Sequence, residues 1–196
     1  MIIETVILSF ILGKIRGGRI RNIGNLYIKK WYIFVISFLM EIISLLLITR
    51  FSGSLSRFLE DNFSYIHIFI YLLLILGLIL NFREKGFKLV LFGSLLNFIP
   101  ILLNNGRMPV SIKALKFSKL YNELTLLEEG RILTHVLIDK STKLSILSDI
   151  IPIPKPYLFP KIISLGDILI AIGLFVLIQT YMKDIEATPY IGKPLN

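Results

Sequence analysis

The chain has 196 residues, of which 55% are hydrophobic and only 18% are charged, and its mean hydropathy is +0.76. Soluble domains carry about 25% charged residues, so this composition indicates a membrane protein, and the length allows one domain. The net charge of +9 does not favour nucleic-acid binding, because the basic residues gather at the ends of apolar runs. The absence of cysteine excludes disulfides, thiolate metal sites and thiol catalysis.

Apolar runs along the chain predict an all-α, multi-pass transmembrane helix bundle of about five spans. The predicted spans cover residues 2–15, 31–49, 63–81, 87–103 and 162–182 of a single membrane domain, residues 1–196. The first run is short for the roughly 20 residues that a span needs. It crosses only if Lys14 and Arg16 extend their charged ends to the interface.

A basic cluster follows the first apolar run and contains Lys14, Arg16, Arg19, Arg21, Lys29 and Lys30. The cluster is predicted to be a cytoplasmic anchor, and binding of anionic lipid headgroups is the alternative. Its position after the apolar run differs from that in a signal peptide. We therefore expect a retained first helix, an N-terminus outside and a cytoplasmic C-terminus. The polar tail from Lys183 is expected to be poorly ordered.

A long extracytoplasmic loop is predicted at residues 104–160, after a fourth span that Pro100 should kink. Ser111 is predicted to cap a short amphipathic helix with Ile112, Leu115 and Leu120 on one face. Ser141 is predicted to cap a second one with Leu144, Leu147 and Ile151 on one face. Four prolines then favour an extended segment: Pro152, Pro154, Pro156 and Pro160.

Polar side chains inside spans are costly and are therefore the first candidates for a site. At about 1.5 Å per helical residue, Glu41 and Asn97 lie about 10 Å below the outer surface, Asp167 lies slightly less deep, and His67 lies nearer the surface. We expect an outward-facing polar pocket that the long loop covers. The candidate ligand-binding residues are Glu41, His67, Asn97, Asn104, Asn105, Arg107 and Asp167.

Each candidate also has a structural interpretation. Glu41 could be protonated, or bonded to Asn97 to hold two helices together. His67 could be a solvated residue at the interface. Asp167 could stabilise a helix N-terminus, and Arg107 could contact headgroups. No special role is expected for Tyr71.

Three segments carry a resemblance to a known family: residues 104–111 (Asn-Asn-Gly-Arg-Met-Pro-Val-Ser), 149–154 (Asp-Ile-Ile-Pro-Ile-Pro) and 164–169 (Ser-Leu-Gly-Asp-Ile-Leu). With Arg16-Gly17-Gly18, they make the chain resemble a bacterial integral membrane protein family catalogued as domain of unknown function 5317. The resemblance implies a multi-pass protein of the bacterial cell membrane and implies no activity. Asn105 stands where the family pattern leads us to expect glycine.

Three functions remain open from the sequence. The favoured one is a non-enzymatic binding, accessory or assembly component, with the lipid bilayer and another membrane protein or lipid as partners. The second is an intramembrane hydrolase in which Asp149 and Asp167 share a proton and activate water. The third is an ion-coupled carrier built around Glu41. No cofactor is identified and no metal site is predicted.

Overall fold

A computed structural model describes residues 1–183, so the predicted tail lies outside the described residues. This part of the chain is mostly helical. Its α-helices are α1 (Ile2–Ile15), α2 (Tyr32–Arg50), α3 (Ser54–Asp61), α4 (Phe63–Leu80), α5 (Phe87–Leu103), α6 (Ile112–Phe117), α7 (Tyr121–Glu128) and α8 (Leu165–Lys183). Its strands are β1 (Met108–Val110), β2 (His135–Leu137), β3 (Ile151–Ile153) and β4 (Lys161–Ile163), and short 3₁₀ turns occupy Ile20–Asn25 and Ser145–Leu147.

Three of the described helices are long and apolar enough to cross a membrane by length and composition, namely α2, α4 and α8. Helix α5 is apolar but has 17 residues, and α1 has 14. The count of five spans therefore stays a prediction. The last helix begins three residues later than predicted, at Leu165, because residues 161–163 pair as β4 with β3.

Helix α2 turns its apolar side chains outward, which is the reverse of a helix in a water-soluble protein. Its buried residues are Ser37 and Ser44, whereas Phe38 is 62% exposed. The Ser37 hydroxyl donates to the Ile33 carbonyl of the same helix at 2.8 Å, so it needs no partner elsewhere. Small polar residues inside and large apolar ones outside suit helices whose surroundings are lipid.

Helices α5 and α8 touch through their backbones at two pairs of glycines. A Cβ atom on Gly93 would lie 2.5 Å from the Gly166 carbonyl oxygen, and one on Gly173 would lie 2.8 Å from that of Gly86. Any larger residue would therefore force the helices apart. This close contact brings the first turn of α8 against the middle of α5.

The segment between α5 and α8, hereafter the lid, contains two small sheets. Strand β1 pairs in parallel with β2, with Met108 opposite His135, and Val110 forms a further parallel bridge with Asp149. Strands β3 and β4 pair antiparallel. Helices α6 and α7 pack their Leu115 and Leu124 side chains against Val110. The lid is thus folded around its own small core.

The all-α prediction is wrong for the lid, where pairing between residues distant in sequence forms four strands. Ser111 does cap α6, since its Oγ accepts from the Ala114 N–H at 3.3 Å. The helix predicted at Ser141 is absent from the described chain. There, the Ser141 N–H and hydroxyl both donate to Asp139 Oδ1, at 2.8 and 2.7 Å, and close a turn instead. A second departure is α3, within the loop predicted between the second and third spans.

Candidate functional site

A polar cavity of about 140 Å³, hereafter the inner cavity, lies between the helices and the lid. Its walls consist of Glu41, His67, Tyr71, Asn97, Ile101, Met108, Thr134, His135, Asp149 and Asp167. Four of these were expected from their depth in four separate helices: Glu41 on α2, His67 on α4, Asn97 on α5 and Asp167 on α8. The structure brings all four to one space.

Asp167 belongs to a reciprocal cap at the start of α8. The Ser164 Oγ accepts from the Asp167 N–H at 2.9 Å, and Asp167 Oδ2 accepts from the Ser164 N–H at 3.1 Å. This arrangement is a capping box, and a negative charge is favoured at a helix N-terminus. The structural interpretation of Asp167 therefore holds, and the same carboxylate also faces the inner cavity.

Asn97 links α5 to that cap with both ends of its amide. Its Nδ2 donates to Asp167 Oδ1 at 3.0 Å, and its Oδ1 accepts from the Ser164 hydroxyl at 2.7 Å. Gly166 makes this possible, because a Cβ there would lie 2.0 Å from Asn97 Oδ1. The predicted bond between Asn97 and Glu41 is wrong, since the amide is engaged on α8.

Glu41 is half-buried and faces the inner cavity. Its carboxylate forms no hydrogen bond or ion pair with any residue of the described chain, 1–183. A half-buried carboxylate that faces a cavity without a bonded partner is the group most available to a ligand.

His67 is 3% exposed, so the expectation of a solvated residue is wrong. Its ring stacks on Phe63 and meets the Tyr71 ring edge-on, with centroids 5.6 and 5.2 Å apart. Its Nδ1 lies 2.6 Å from the Gly106 carbonyl oxygen. Because a carbonyl only accepts, Nδ1 carries a hydrogen, and in the neutral ring Nε2 is then an acceptor.

His135 and Asp149 form the lid side of the cavity. Strand β2 carries His135, whose Nε2 lies 3.5 Å from Asp149 Oδ2. The Nδ1 atom of His135 lies 2.7 Å from Thr134 Oγ1. The backbone of Asp149 is fixed by bonds to Pro109 and Ser111. Burial raises the pKa of the Asp149 carboxyl above its ordinary value, and the hydrogen bond from His135 opposes this shift.

The three candidates at the start of the lid do not line the inner cavity. Asn104 holds the lid to the end of α5: its Nδ2 donates to the Pro100 and Lys143 carbonyls, at 2.7 and 2.9 Å, and its Oδ1 accepts from the Lys143 N–H at 2.9 Å. Asn105 is exposed with φ of 55°, and Arg107 is half-buried beside β1. The prediction that these three residues share a pocket with Glu41 is therefore wrong for the inner cavity.

Five residues that line the cavity were not predicted from the sequence: Tyr71, Ile101, Met108, Thr134 and His135. One signal was available for His135, because the chain has only two histidines. Both of them line this cavity. Tyr71 was set aside, although its ring packs between His67 and Phe98.

The inner cavity contains more hydrogen-bond acceptors than free donors. Three carboxylates line it, from Glu41, Asp149 and Asp167, while the Asn97 amide already donates to one of them. Within residues 1–183, no three histidine, aspartate or glutamate side chains lie close enough together to hold a metal ion. The arrangement suits a positively charged group rich in N–H donors.

The fold and the cavity define a class of protein: a mostly helical chain with three helices of membrane-spanning length and an acidic cavity beneath a folded lid. Residues 25–179 match the family of unknown function DUF5317, and the chain belongs to that family. An uncharacterized protein of Thermotoga maritima is 27% identical over 176 residues, which cover 90% of this chain and 89% of that relative. No solved structure matches the chain significantly.

Proposed function

We propose that the protein is a ligand-binding component of the membrane. Its inner cavity receives a small organic cation with N–H donors. The observation that carries the proposal is the free carboxylate of Glu41 in a cavity that Asp149 and Asp167 also line. Burial of charge without a partner is unfavourable. A bound ammonium or guanidinium group supplies both the missing charge and the missing donors.

The proposal includes an orientation in which the lid is outside the cell and both the basic cluster near α1 and the C-terminus face the cytoplasm. It is supported by the positively charged residues at the opposite ends of the helices, which include Arg16, Lys85 and Lys183. The ligand then enters from the extracytoplasmic side, and the cavity spans the boundary between α5, α8 and the lid.

The cavity favours binding over hydrolysis by an aspartate pair. Asp149 pairs with His135, and Asp167 accepts from Asn97 and Ser164. No hydrogen bond joins the two carboxyl groups in the described part of the chain, whereas a dyad that activates water shares a proton. A carrier would use the same Glu41 carboxylate as a binding component, and it requires solute flux in addition to binding.

The experiment is calorimetric titration of the purified full-length protein with methylammonium. Tetramethylammonium has the same charge without N–H donors and is the matched ligand control. We expect methylammonium to bind more tightly. Glu41→Gln should weaken methylammonium binding at least tenfold, because a hydrogen bond to a charged group contributes about 1.5–3 kcal/mol.

The matched variant is Glu128→Gln, which removes an exposed carboxylate of α7 that is remote from the cavity. It should bind methylammonium as the native protein does. Equal affinities for the native protein and Glu41→Gln would contradict the proposal, as would equal affinities for the two ammonium ions.

A further inference from the structure

A second space, hereafter the lid groove, lies in the lid beside the inner cavity and has a volume of about 380 Å³. Its apolar walls come from α6, α7, β4 and the segments on either side of α7, with Leu115, Leu120, Leu127, Ile132 and Ile162. Most of these side chains are only half-buried. Apolar surface grouped in a concave space of this size is typical of a binding groove.

The lid groove and the inner cavity share three lining residues: Thr134, His135 and Asp149. These three residues therefore face both spaces, and the acidic cavity and the apolar groove are adjacent at them. The His135 Nε2 and Asp149 Oδ2 atoms are 3.5 Å apart. A carboxylate can accept several hydrogen bonds, so Asp149 has capacity for another donor beside His135.

We propose that the ligand is a primary amine with an apolar arm, whose ammonium group occupies the inner cavity and whose arm lies in the lid groove beyond the His135–Asp149 pair. The inference rests on the proposed function, because it takes the inner cavity as the site of the cation. It adds the chemical class of the rest of the molecule.

The polar residues at the rim of the groove favour a ligand whose arm is uncharged. Lys161 lies at the rim, but its Nζ is already hydrogen-bonded to the Glu4 carboxylate. Two carboxylates also line the groove: Asp149, which it shares with the inner cavity, and Glu123, which is exposed on α7. No cation in the described residues is thus free at the rim for an anionic arm, and the apolar floor gives a polar arm little to bond with.

The test is a titration of the full-length protein with straight-chain alkylammonium ions from methyl to hexyl. We expect the affinity to rise about fourfold per methylene while the arm enters the groove, the equivalent of about 0.8 kcal/mol for each buried CH₂. The straight-chain alcohols of the same lengths are the control for partition into detergent, and they should not bind in the same way.

Two variants that fill the groove decide where the arm lies. Leu127→Trp and Ile132→Trp come from different segments of the lid, so a folding defect in one still leaves the other. Each should keep the native affinity for methylammonium and lose the increase with chain length. Phe117→Trp, at an exposed lid position outside the groove, should keep the increase.

The outcomes separate the two proposals. Methylammonium binding without an increase along the series would overturn the apolar arm and leave the proposed function standing. An increase that persists in both filled variants would also overturn it, because the arm would then lie elsewhere. If no alkylammonium ion binds, the proposed function fails and this inference fails with it.

Discussion

The amide of Asn97 on α5 donates to the Asp167 carboxylate on α8 at 3.0 Å, and this bond joins two walls of the inner cavity. The same amide accepts from the Ser164 hydroxyl at 2.7 Å. Asn97 is therefore part of the α8 cap as well as of the cavity. A polar residue in the middle of an apolar helix has here both a structural partner and a place in the candidate site.

Asn97→Leu should lower the free energy of unfolding by about 1–3 kcal/mol, because Asp167 Oδ1 loses its donor and the Ser164 hydroxyl loses its acceptor. Asn97→Asp should cost more, since it places a second carboxylate against Asp167. Reversible unfolding in mixed detergent micelles measures both variants. Ile99→Val, at a more exposed position on the same helix, is the control. Native stability of Asn97→Leu would show that the link between α5 and α8 contributes nothing.

Gly93→Ala should destabilise the protein strongly, by about 1–3 kcal/mol, as expected for an overpacked contact. The added Cβ would lie 2.5 Å from the Gly166 carbonyl oxygen, and backbone cannot move aside as a flexible side chain can. Gly24→Ala is the matched control, because nothing lies within 4 Å of a Cβ at that position. Thermal unfolding compares the two variants, and an equal effect would argue against close contact between α5 and α8.

Asp149→Asn should stabilise the protein near neutral pH. The raised pKa of the Asp149 carboxyl means that the folded state holds its proton more tightly than the unfolded state. This contribution is fully present below the ordinary pKa and is lost as the pH rises through the raised pKa. Asparagine has no carboxyl to ionise, so the variant should have a higher melting temperature than the native protein at about pH 7. The difference between the two melting temperatures should shrink by about pH 4.

The neighbours of Asp149 set the size of that effect. His135 opposes the raised pKa and Asp167 adds to it. His135→Gln should therefore reduce stability at neutral pH by leaving the ionised carboxylate without its partner. A lower melting temperature for Asp149→Asn at neutral pH would mean that the bond with His135 outweighs the burial of the carboxylate.

Asn104→Ala should loosen the lid without unfolding the helices. It removes three hydrogen bonds, two of which mimic backbone pairing with Lys143. Hydrogen exchange should therefore accelerate at the Lys143 amide and change little in α5. Asn105→Gly is the comparison, because φ of 55° suits glycine, and this change should leave exchange at Lys143 unaltered. Unchanged exchange in Asn104→Ala would contradict its role in holding the lid.

The depth of the polar residues could be predicted from the sequence because the rise per residue of a helix is constant. That argument led to Glu41, His67, Asn97 and Asp167, which the structure places around one cavity. The partners of these residues could not be predicted, because depth does not tell which helix faces meet. Asn97 thus bonds to the α8 cap rather than to Glu41.

The lid was harder to predict because its contacts join residues far apart in the sequence. Met108 pairs with His135, and Asp149 returns to Val110. Local signals were also misleading at Ser141, which resembles a helix cap until the nearby Asp139 carboxylate bonds to both its N–H and its hydroxyl. Two of the five ionisable groups that line the cavity outside α2 come from this segment, His135 and Asp149, and Asp149 adds a third carboxylate to those of Glu41 and Asp167.

The backbone contact between Gly93 and Gly166 has a consequence for ligand size. Asp167 follows Gly166 directly, so the gap between the two glycines also fixes how far this carboxylate stands from α5. Alanine in place of either glycine would separate α5 from α8 and enlarge the inner cavity between them. We expect related chains with bulkier residues at these two positions to accept ligands with a larger cationic group than this protein does.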